Sequence, residues 1–165
     1  MSSNESSLPG QAEEVAELLV RVYEIHEVVI GETGGLPGLR EASLLHAAVA
    51  RPFATFGGVE LYPSDFEKAA ALFHSLIKSH PFMDGTKRTA FGAALYLLEQ
   101  LGHRIPDQLP KDKVIRFCVE VAEEAMRQAE GEPVQPKTIA QIADWFKELI
   151  ERSRHSGIEG DDALG

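Results

Sequence analysis

Residues 80–102 constrain the fold of this chain more strongly than any other segment. The residue before a proline is pushed out of the α-helical region, so His80-Pro81 ends the preceding helix. A new helix is predicted to begin at residue 86 and to end at Gly102. Its apolar residues cover nearly the whole circumference, which predicts a central helix buried among others. They are Ala90, Phe91, Ala93, Ala94, Leu95, Leu97, Leu98 and Leu101.

The first turn of this predicted helix carries two neighbouring cations, Lys87 and Arg88. The N-terminus of a helix has a positive partial charge, so cations there are disfavoured unless an anion lies nearby. The backbone N–H groups that a helix leaves unpaired at this end form an anion site. The two cations therefore indicate an anionic ligand held between their side chains and the helix N-terminus.

Composition limits the class of protein. A length of 165 residues predicts one domain, and 44% hydrophobic with 25% charged residues is typical of a soluble globular protein. The formal net charge of -10 argues against nonspecific binding to nucleic acid or to an anionic membrane. The longest apolar run, residues 90–98, is far shorter than the roughly 18 residues of a membrane span. The N-terminal residues lack the features of a signal peptide, and the single cysteine, Cys118, favours a reducing compartment, so we expect a cytoplasmic protein.

The remainder of the chain is predicted to be helical, with one exception. Apolar residues at spacings of three and four predict helices over about 15–30, 40–50, 64–79, 111–130 and 138–152. Residues 53–62 instead contain Gly57-Gly58 followed by an alternating segment, which indicates a short strand or extended flap. Residues 1–10 and 155–165 are polar or rich in glycine and are predicted to be disordered tails around a domain at 11–154. The predicted fold is an all-α compact bundle with one small β-like flap.

The residues around the first turn supply the components of a transfer reaction. His80 can accept a proton near neutral pH, and Asp84 can hold Mg²⁺ together with phosphates and water. Gly85 allows the backbone to approach a ligand closely. Lys87 adds a point charge, and Arg88 adds a fork that suits phosphate oxygens. This set indicates phosphoryl or nucleotidyl transfer from a nucleoside triphosphate.

A purely structural interpretation of the same residues is also open. His80-Pro81 could simply stop a helix, Asp84 could be an ordinary N-cap worth about 1 kcal/mol, and the cations could belong to a solvated face. A cap explains Asp84, however, and does not explain two cations in the same first turn.

Two other groups of residues are interpreted as having no catalytic role. The glycine-rich loop at residues 31–38 lacks the Gly-Lys-Ser/Thr of a P-loop and is predicted to be a turn. Four further histidines lack metal-ligand spacing and are interpreted as structural or surface residues: His26, His46, His74 and His103.

The segment His80-Pro-Phe-Met-Asp-Gly-Thr-Lys-Arg-Thr-Ala-Phe91 resembles the signature of the Fic/Doc superfamily. The Fic pattern reads His-Pro-Phe-x-(Asp/Glu)-Gly-Asn-Gly-Arg-x-x-Arg, and the Doc (death-on-curing) branch typically reads His-x-Phe-x-Asp-(Ala/Gly)-Asn-Lys-Arg-Thr-Ala. Residues 34–38 resemble the first loop of that branch, residues 39–52 its second helix and residues 139–149 its last helix. The resemblance covers roughly residues 18–152 and implies a Fic-like helical bundle.

The resemblance implies a role for each matching residue. His80 would be the general base that deprotonates a target hydroxyl, Phe82 would anchor the loop in the core, and Asp84 would bind Mg²⁺ on the phosphates. The remaining phosphate-binding residues would be Gly85, Thr86, Lys87 and Arg88. The flap would align the target protein by strand-like pairing, through Gly57, Gly58, Val59, Glu60 and Leu61.

The departures from the Fic pattern bear on the reaction. Lys87 and Phe91 replace a glycine and the second arginine of Fic, as in Doc, whereas the usual asparagine is Thr86 here. The Doc branch implies a toxin of a type II toxin-antitoxin system that uses ATP to phosphorylate elongation factor Tu and halts translation. Two alternatives stay open: a Fic-type transferase of AMP to a protein hydroxyl, and a degenerate module that only binds nucleotide or antitoxin.

The resemblance also implies how the protein would be inhibited. Many Fic proteins carry an inhibitory helix with the pattern (Ser/Thr)-x-x-x-Glu-(Gly/Asn). In this sequence Glu130-Gly131 is preceded by Met126 and Glu159-Gly160 by His155, so neither pair fits. We therefore expect inhibition in trans by a cognate antitoxin whose disordered tail folds on binding. The expected cofactors are ATP and Mg²⁺, and the expected partners are this antitoxin and a translation factor, with no direct contact to nucleic acid or membrane.

Overall fold

The computed structural model describes the backbone of residues 9–164 and the side chains of residues 11–155. Six helices occupy most of this part of the chain: α1 (Pro9–Thr33), α2 (Ala42–Ala50), α3 (Asp65–Ser79), α4 (Thr86–Gln100), α5 (Lys111–Ala129) and α6 (Ile139–Leu164). A single 3-10 turn, Arg51–Phe53, follows α2, and two strands, β1 (Thr55–Phe56) and β2 (Val59–Glu60), form the sheet. The prediction of an all-α bundle with a small flap is confirmed.

The first and last described helices extend into the segments that the sequence predicts as tails. Residues 1–8 of the predicted N-terminal tail lie outside the described residues, while Pro9 and Gly10 already belong to α1. The last helix continues to Leu164, through the segment 155–164 for which the sequence predicts disorder. The chain has no proline after Pro136, so every residue of this segment can donate the backbone hydrogen bond that a helix needs.

Helices α3 and α4 lie side by side at the centre of the bundle. α3 also contacts α2, the 3-10 turn, α5 and α6, and α4 also contacts α1 and α5. α4 is buried along much of its length, as the distribution of its apolar residues predicts. Around both helices the core consists of aliphatic and aromatic side chains, and each fully buried valine, leucine, isoleucine or phenylalanine contributes about 1.5–3 kcal/mol.

Aromatic rings connect the central helices to α5 and α6. Trp145 stacks on Phe117 with their ring centroids 3.8 Å apart, and Phe146 meets Phe73 edge to face at 5.3 Å. Cys118 is buried beside this cluster, and burial raises the pKa of its thiol to about 11. It therefore packs as a small apolar core residue.

A tight hairpin forms the flap. Thr55 pairs with Glu60 and Phe56 with Val59, across a turn in which Gly57 and Gly58 have φ angles of +59° and +81°. Positive φ at both central residues is typical of the type I′ turn that joins two antiparallel strands. The hairpin projects Phe56 and Val59 into solvent, with 81% and 69% of their surface exposed.

The base of the hairpin is fixed by a buried lysine of α3. Lys68 donates to the carbonyl oxygen of Tyr62, and its Nζ lies 3.2 Å from a carboxylate oxygen of Glu60.

None of the described helices is both long enough and apolar enough to cross a membrane.

Candidate active site

His80 occupies the C-terminal end of α3 in a left-handed conformation. Its φ is +50°, and it is the only non-glycine residue with positive φ in the described part of the chain. Such a backbone costs about 1–3 kcal/mol and persists where the surroundings enforce it. The backbone N–H of His80 donates to the carbonyl oxygen of Leu76 at 3.0 Å and closes the helix. The geometry aims the imidazole away from the helix, toward the start of α4.

Arg40 holds this end of α3 from outside. Its Nε donates to the carbonyl oxygen of His80 at 3.0 Å, and a terminal guanidinium nitrogen donates to that of Ser79 at 2.8 Å. A cation is stabilised at the C-terminus of a helix, where carbonyl groups lack partners. Arg40 thus stabilises the unusual backbone of His80 by hydrogen bonds and by charge.

The loop that follows His80 pairs with the glycine-rich loop after α1. The backbone N–H of Arg40 donates to the carbonyl oxygen of Pro81 at 2.7 Å, and that of Met83 donates to Gly38 at 3.1 Å. Leu39 and Phe82 form an antiparallel bridge between them. The segment that the sequence predicts as a turn therefore also supports the motif loop, as an extended partner.

The same loop orients the carboxylate of Asp84. The backbone N–H of Leu36 donates to Oδ2 of Asp84 at 2.7 Å. A Cβ atom at Gly35 would lie 3.2 Å from that oxygen, so a side chain at this position would displace the carboxylate slightly, and the φ of +102° also favours glycine. The other oxygen, Oδ1, accepts no hydrogen bond from a described residue, and the side chain is exposed. Asp84 thus has one oxygen fixed and one open to a ligand.

His26 of α1 supports the motif loop from the interior. Its Nε2 donates to the carbonyl oxygen of Asp84 at 2.8 Å, and its ring stacks on Phe82 at 3.8 Å with 8° between the planes. Both rings are 1% exposed. His26 is therefore structural, as predicted, but its role at the candidate site is not evident from the motif. One signal was present: Val22, His26 and Val29 share a helix face, and a buried imidazole needs a polar partner.

The imidazole of His80 contacts the first residue of α4. Its Nδ1 lies 2.6 Å from the hydroxyl oxygen of Thr86, and Nε2 has no hydrogen bond to a described residue. Burial lowers the pKa of His80 below its usual value, and the cations Arg40 and Lys87 lower it further, while Asp84 opposes them. The neutral ring is therefore favoured, which leaves His80 able to accept a proton.

The N-terminus of α4 is open to an anion. Gly85 precedes it with φ of +76°, no side chain within residues 11–155 caps it, and its first turn contains no acid. A Cβ atom at Gly85 would lie 3.2 Å from a methyl carbon of Val29, so both conformation and space require glycine there. Lys87 and Arg88 are exposed, and neither forms an ion pair with another residue whose side chain is described. The N-terminus of α4 thus combines the backbone N–H groups of a helix start with two cationic side chains.

A magnesium ion would need a ligand from outside the protein at this site. Within residues 11–155 no group of three or more His, Cys, Asp or Glu side chains could hold a metal ion. Mg²⁺ often binds to one or two carboxylates and completes its shell with water and substrate phosphates. The open oxygen of Asp84, next to the N-terminus of α4, fits that kind of coordination.

The predicted motif residues lie on one loop and the helix start that follows it, and the predicted flap residues lie on a separate element. The loop between α3 and α4, with the first turn of α4, carries His80, Asp84, Gly85, Thr86, Lys87 and Arg88. The flap residues lie on the hairpin before α3, at Gly57, Gly58, Val59, Glu60 and Leu61. Three supporting residues were missed from the sequence: His26, Leu36 and Arg40.

Known proteins are similar in sequence to the part of the chain that carries the motif and the hairpin. A model of the Fic/DOC family matches residues 18–98, which include the motif and the hairpin. Toxin Doc of Mycolicibacterium smegmatis is 44% identical over 89 residues, which cover 54% of this chain and 68% of that protein. Protein kinase doc of Escherichia phage P1 is 31% identical over 83 residues, which cover 50% of this chain and 65% of that protein. The resemblance in the motif is thereby confirmed, and the chain belongs to the Fic/Doc family, on its Doc branch.

Proposed function

We propose that this chain is a Doc-like toxin that transfers the γ-phosphate of ATP to a Ser or Thr hydroxyl of a translation factor. The relatives named Toxin Doc and Protein kinase doc support both the toxin role and the kinase reaction. The observation that carries the proposal is a neutral His80 beside the N-terminus of α4, where no described side chain bonds Nε2, caps the helix or pairs with Lys87 and Arg88. By resemblance to the Doc branch, the target is elongation factor Tu.

His80 acts as the general base in this proposal. Nε2 accepts the proton of the target hydroxyl while the hydroxyl oxygen forms a bond to the γ-phosphorus of ATP. The bond between that phosphorus and the β,γ-bridging oxygen breaks, and ADP leaves with the electron pair. A lowered pKa keeps His80 unprotonated at neutral pH, which is the state that a base requires.

The start of α4 holds the phosphates. Unpaired N–H groups at Gly85, Thr86 and Lys87 donate to phosphate oxygens, and the side chains of Lys87 and Arg88 balance the charge that spreads over them. Mg²⁺ bound at Asp84 would neutralise further phosphate charge. The Leu36 N–H keeps the carboxylate turned so that its second oxygen faces the ligand.

Two partners complete the proposal. The exposed hairpin, from Gly57 to Leu61, pairs with a strand-like segment of the target and brings its hydroxyl to His80. A cognate antitoxin inhibits the toxin in trans, with a tail that folds on this chain when it binds. Both partners and the reaction belong in the cytoplasm.

Mass spectrometry of the target after reaction with ATP and Mg²⁺ tests the reaction. We expect purified elongation factor Tu to gain the mass of one phosphoryl group with the wild-type protein and to stay unmodified with His80→Ala. Addition of AMP instead would favour the Fic-type alternative. If the wild-type protein and His80→Ala both bound ATP but modified no protein in a whole lysate, the enzyme proposal would fall and a binding module would remain.

A further inference from the structure

The hydroxyl of Thr86 is the only side-chain partner of the His80 ring among the described residues. The Nδ1–Oγ1 distance of 2.6 Å is that of a short hydrogen bond, and Thr86 is only 7% exposed. Thr86 stands where the Doc pattern has asparagine, so this contact belongs to the present sequence. Arg40 and the end of α3 fix the backbone of His80. The orientation of its ring is then fixed by the contact with Thr86.

The partner of Nδ1 decides what Nε2 can do. In a neutral imidazole one nitrogen carries the proton and the other carries the lone pair. A hydroxyl that accepts from Nδ1 leaves the lone pair on Nε2, whereas a hydroxyl that donates to Nδ1 leaves Nε2 protonated and unable to act as a base. The charged groups facing the ring, Arg40, Lys87 and Asp84, touch neither nitrogen by a hydrogen bond. Thr86 is therefore the described side chain whose hydrogen bond can select the tautomer of His80.

We propose that Thr86 is a positioning residue whose hydroxyl oxygen accepts the Nδ1 proton of His80 and holds the lone pair on Nε2, the atom that takes the proton from the target. This inference rests on the proposed function for its catalytic consequence. The hydrogen bond itself, and the tautomer that it selects, are properties of the protein without ATP or target.

The same helix provides a matched control for the hydroxyl. Thr89 lies one turn further along α4, is fully buried, and its Oγ1 has no hydrogen-bond partner among the described residues. Replacing either threonine with valine removes a buried hydroxyl at nearly constant volume. Only the change at residue 86 removes a partner of His80.

Nitrogen-15 NMR of the imidazole rings in the full chain gives a readout that does not depend on activity. The His80 signals are identified by their loss in His80→Gln, and spectra are recorded at a pH above the titration of the ring. We expect the wild-type ring to be protonated on Nδ1, although a free histidine prefers the proton on Nε2. Thr86→Val should shift His80 toward the Nε2-protonated form, Thr86→Ser should retain the wild-type form, and Thr89→Val should have no effect.

Kinetics then connect the tautomer to the reaction. With Thr86→Val we expect kcat for target phosphorylation to fall about tenfold to hundredfold, which is no more than the roughly hundredfold or greater contribution of a general base, while KM for ATP stays unchanged. Thr86→Ser should recover most of the rate, and Thr89→Val should keep it.

The wild-type spectrum alone can overturn the inference. A wild-type His80 ring protonated on Nε2 would contradict it even if Thr86→Val failed to fold, and so would a Thr86→Val spectrum identical to the wild type. If the tautomer behaves as expected but no target is modified, the proposed function fails and the hydrogen bond stands. If the enzyme is active and the tautomer does not respond, only the role of Thr86 is lost.

Discussion

The Nε2 atom of His26 lies 2.8 Å from the main-chain oxygen of Asp84, which joins α1 to the motif loop across 58 residues of sequence. The ring that makes this bond also stacks on Phe82, so one buried side chain fixes the loop both by packing and by a hydrogen bond. The position of the Asp84 carboxylate therefore depends on a helix that contributes no residue to the motif.

Replacing His26 with phenylalanine should separate these two contributions. His26→Phe keeps a planar ring against Phe82 but leaves the carbonyl oxygen of Asp84 without its donor. A buried unsatisfied acceptor costs about 1–3 kcal/mol, so we expect the free energy of unfolding in urea to fall by that amount. His46→Phe changes an exposed histidine of α2 and should alter it by less than about 0.5 kcal/mol. Equal stability of His26→Phe and the wild-type protein would show that the hydrogen bond makes no net contribution.

Much of the fold follows from local sequence signals. Spacing of apolar residues places the helices, Pro81 ends α3, and Gly57-Gly58 gives the turn of the hairpin, because each signal acts within one or two turns of chain. The extension of α6 to Leu164 was not predicted, since the segment has no apolar periodicity and two glycines weaken its helix propensity.

The candidate site is only partly local. His80 and Thr86 lie on one short loop and helix start, so a motif can hold both. The groups that orient the motif, His26, the Leu36 N–H and Arg40, come from α1 and the loop that follows it. Their contacts depend on how the helices pack, which a local motif does not determine. The contact of Leu36 is also made by its backbone N–H, so the identity of the side chain gives no sign of it.

Gly35 should be required for the orientation of Asp84, and Gly38 provides a close comparison. Both have φ near +100°, at +102° and +98°, but a Cβ atom at Gly38 would meet no atom of the described residues within 4 Å. Gly35→Ala and Gly38→Ala should each lower the free energy of unfolding by about 1–3 kcal/mol, because alanine is strained at positive φ. Only Gly35→Ala should push Asp84 away from the Leu36 N–H. We therefore expect hydrogen exchange of the Leu36 amide to accelerate in Gly35→Ala beyond the change in Gly38→Ala; equal exchange in the two variants would argue against this role.

Lys87 should hold down the pKa of His80. Burial is the larger cause of the lowered pKa and persists in a Lys87→Gln variant, but the loss of the cation removes repulsion from the protonated ring. We expect the pKa of His80 to rise in Lys87→Gln while staying below the usual value, as measured by NMR titration. Lys113→Gln neutralises an exposed lysine of α5 that does not contribute to the shift, and it should leave the titration unchanged.

The lowered pKa of His80 makes the stability of the folded protein depend on pH. Because the folded protein binds fewer protons at His80 than the unfolded chain, this group contributes stability fully above the usual histidine pKa of about 6.5. That contribution is lost as the pH falls through the folded-state pKa. Lys87→Gln should therefore weaken the loss of stability on acidification below about pH 6.5; an unchanged or steeper pH dependence would contradict the role of Lys87.

The exposed apolar residues of the hairpin should contribute to binding of the target protein and not to the stability of the fold. Phe56 is 81% exposed and Leu61 is 50% exposed, so Phe56→Ala and Leu61→Ala remove little buried surface and should change stability by less than about 0.5 kcal/mol. Full burial of such a side chain against a partner contributes about 1.5–3 kcal/mol. We expect each variant to lower kcat/KM for the protein target about tenfold or more while the affinity for ATP is unchanged.

Ile115 of α5 is the matched control for the hairpin, because it is 53% exposed and lies on a different element. Ile115→Ala should reproduce the small effect on stability without the loss in kcat/KM. If Phe56→Ala and Leu61→Ala modified the target as fast as Ile115→Ala, the hairpin would not be the docking surface. Strand pairing with a target requires only the exposed edge of the hairpin and its side chains, and it does not involve ATP. A loss of ATP affinity in the hairpin variants would therefore mean that the hairpin acts on the nucleotide site instead.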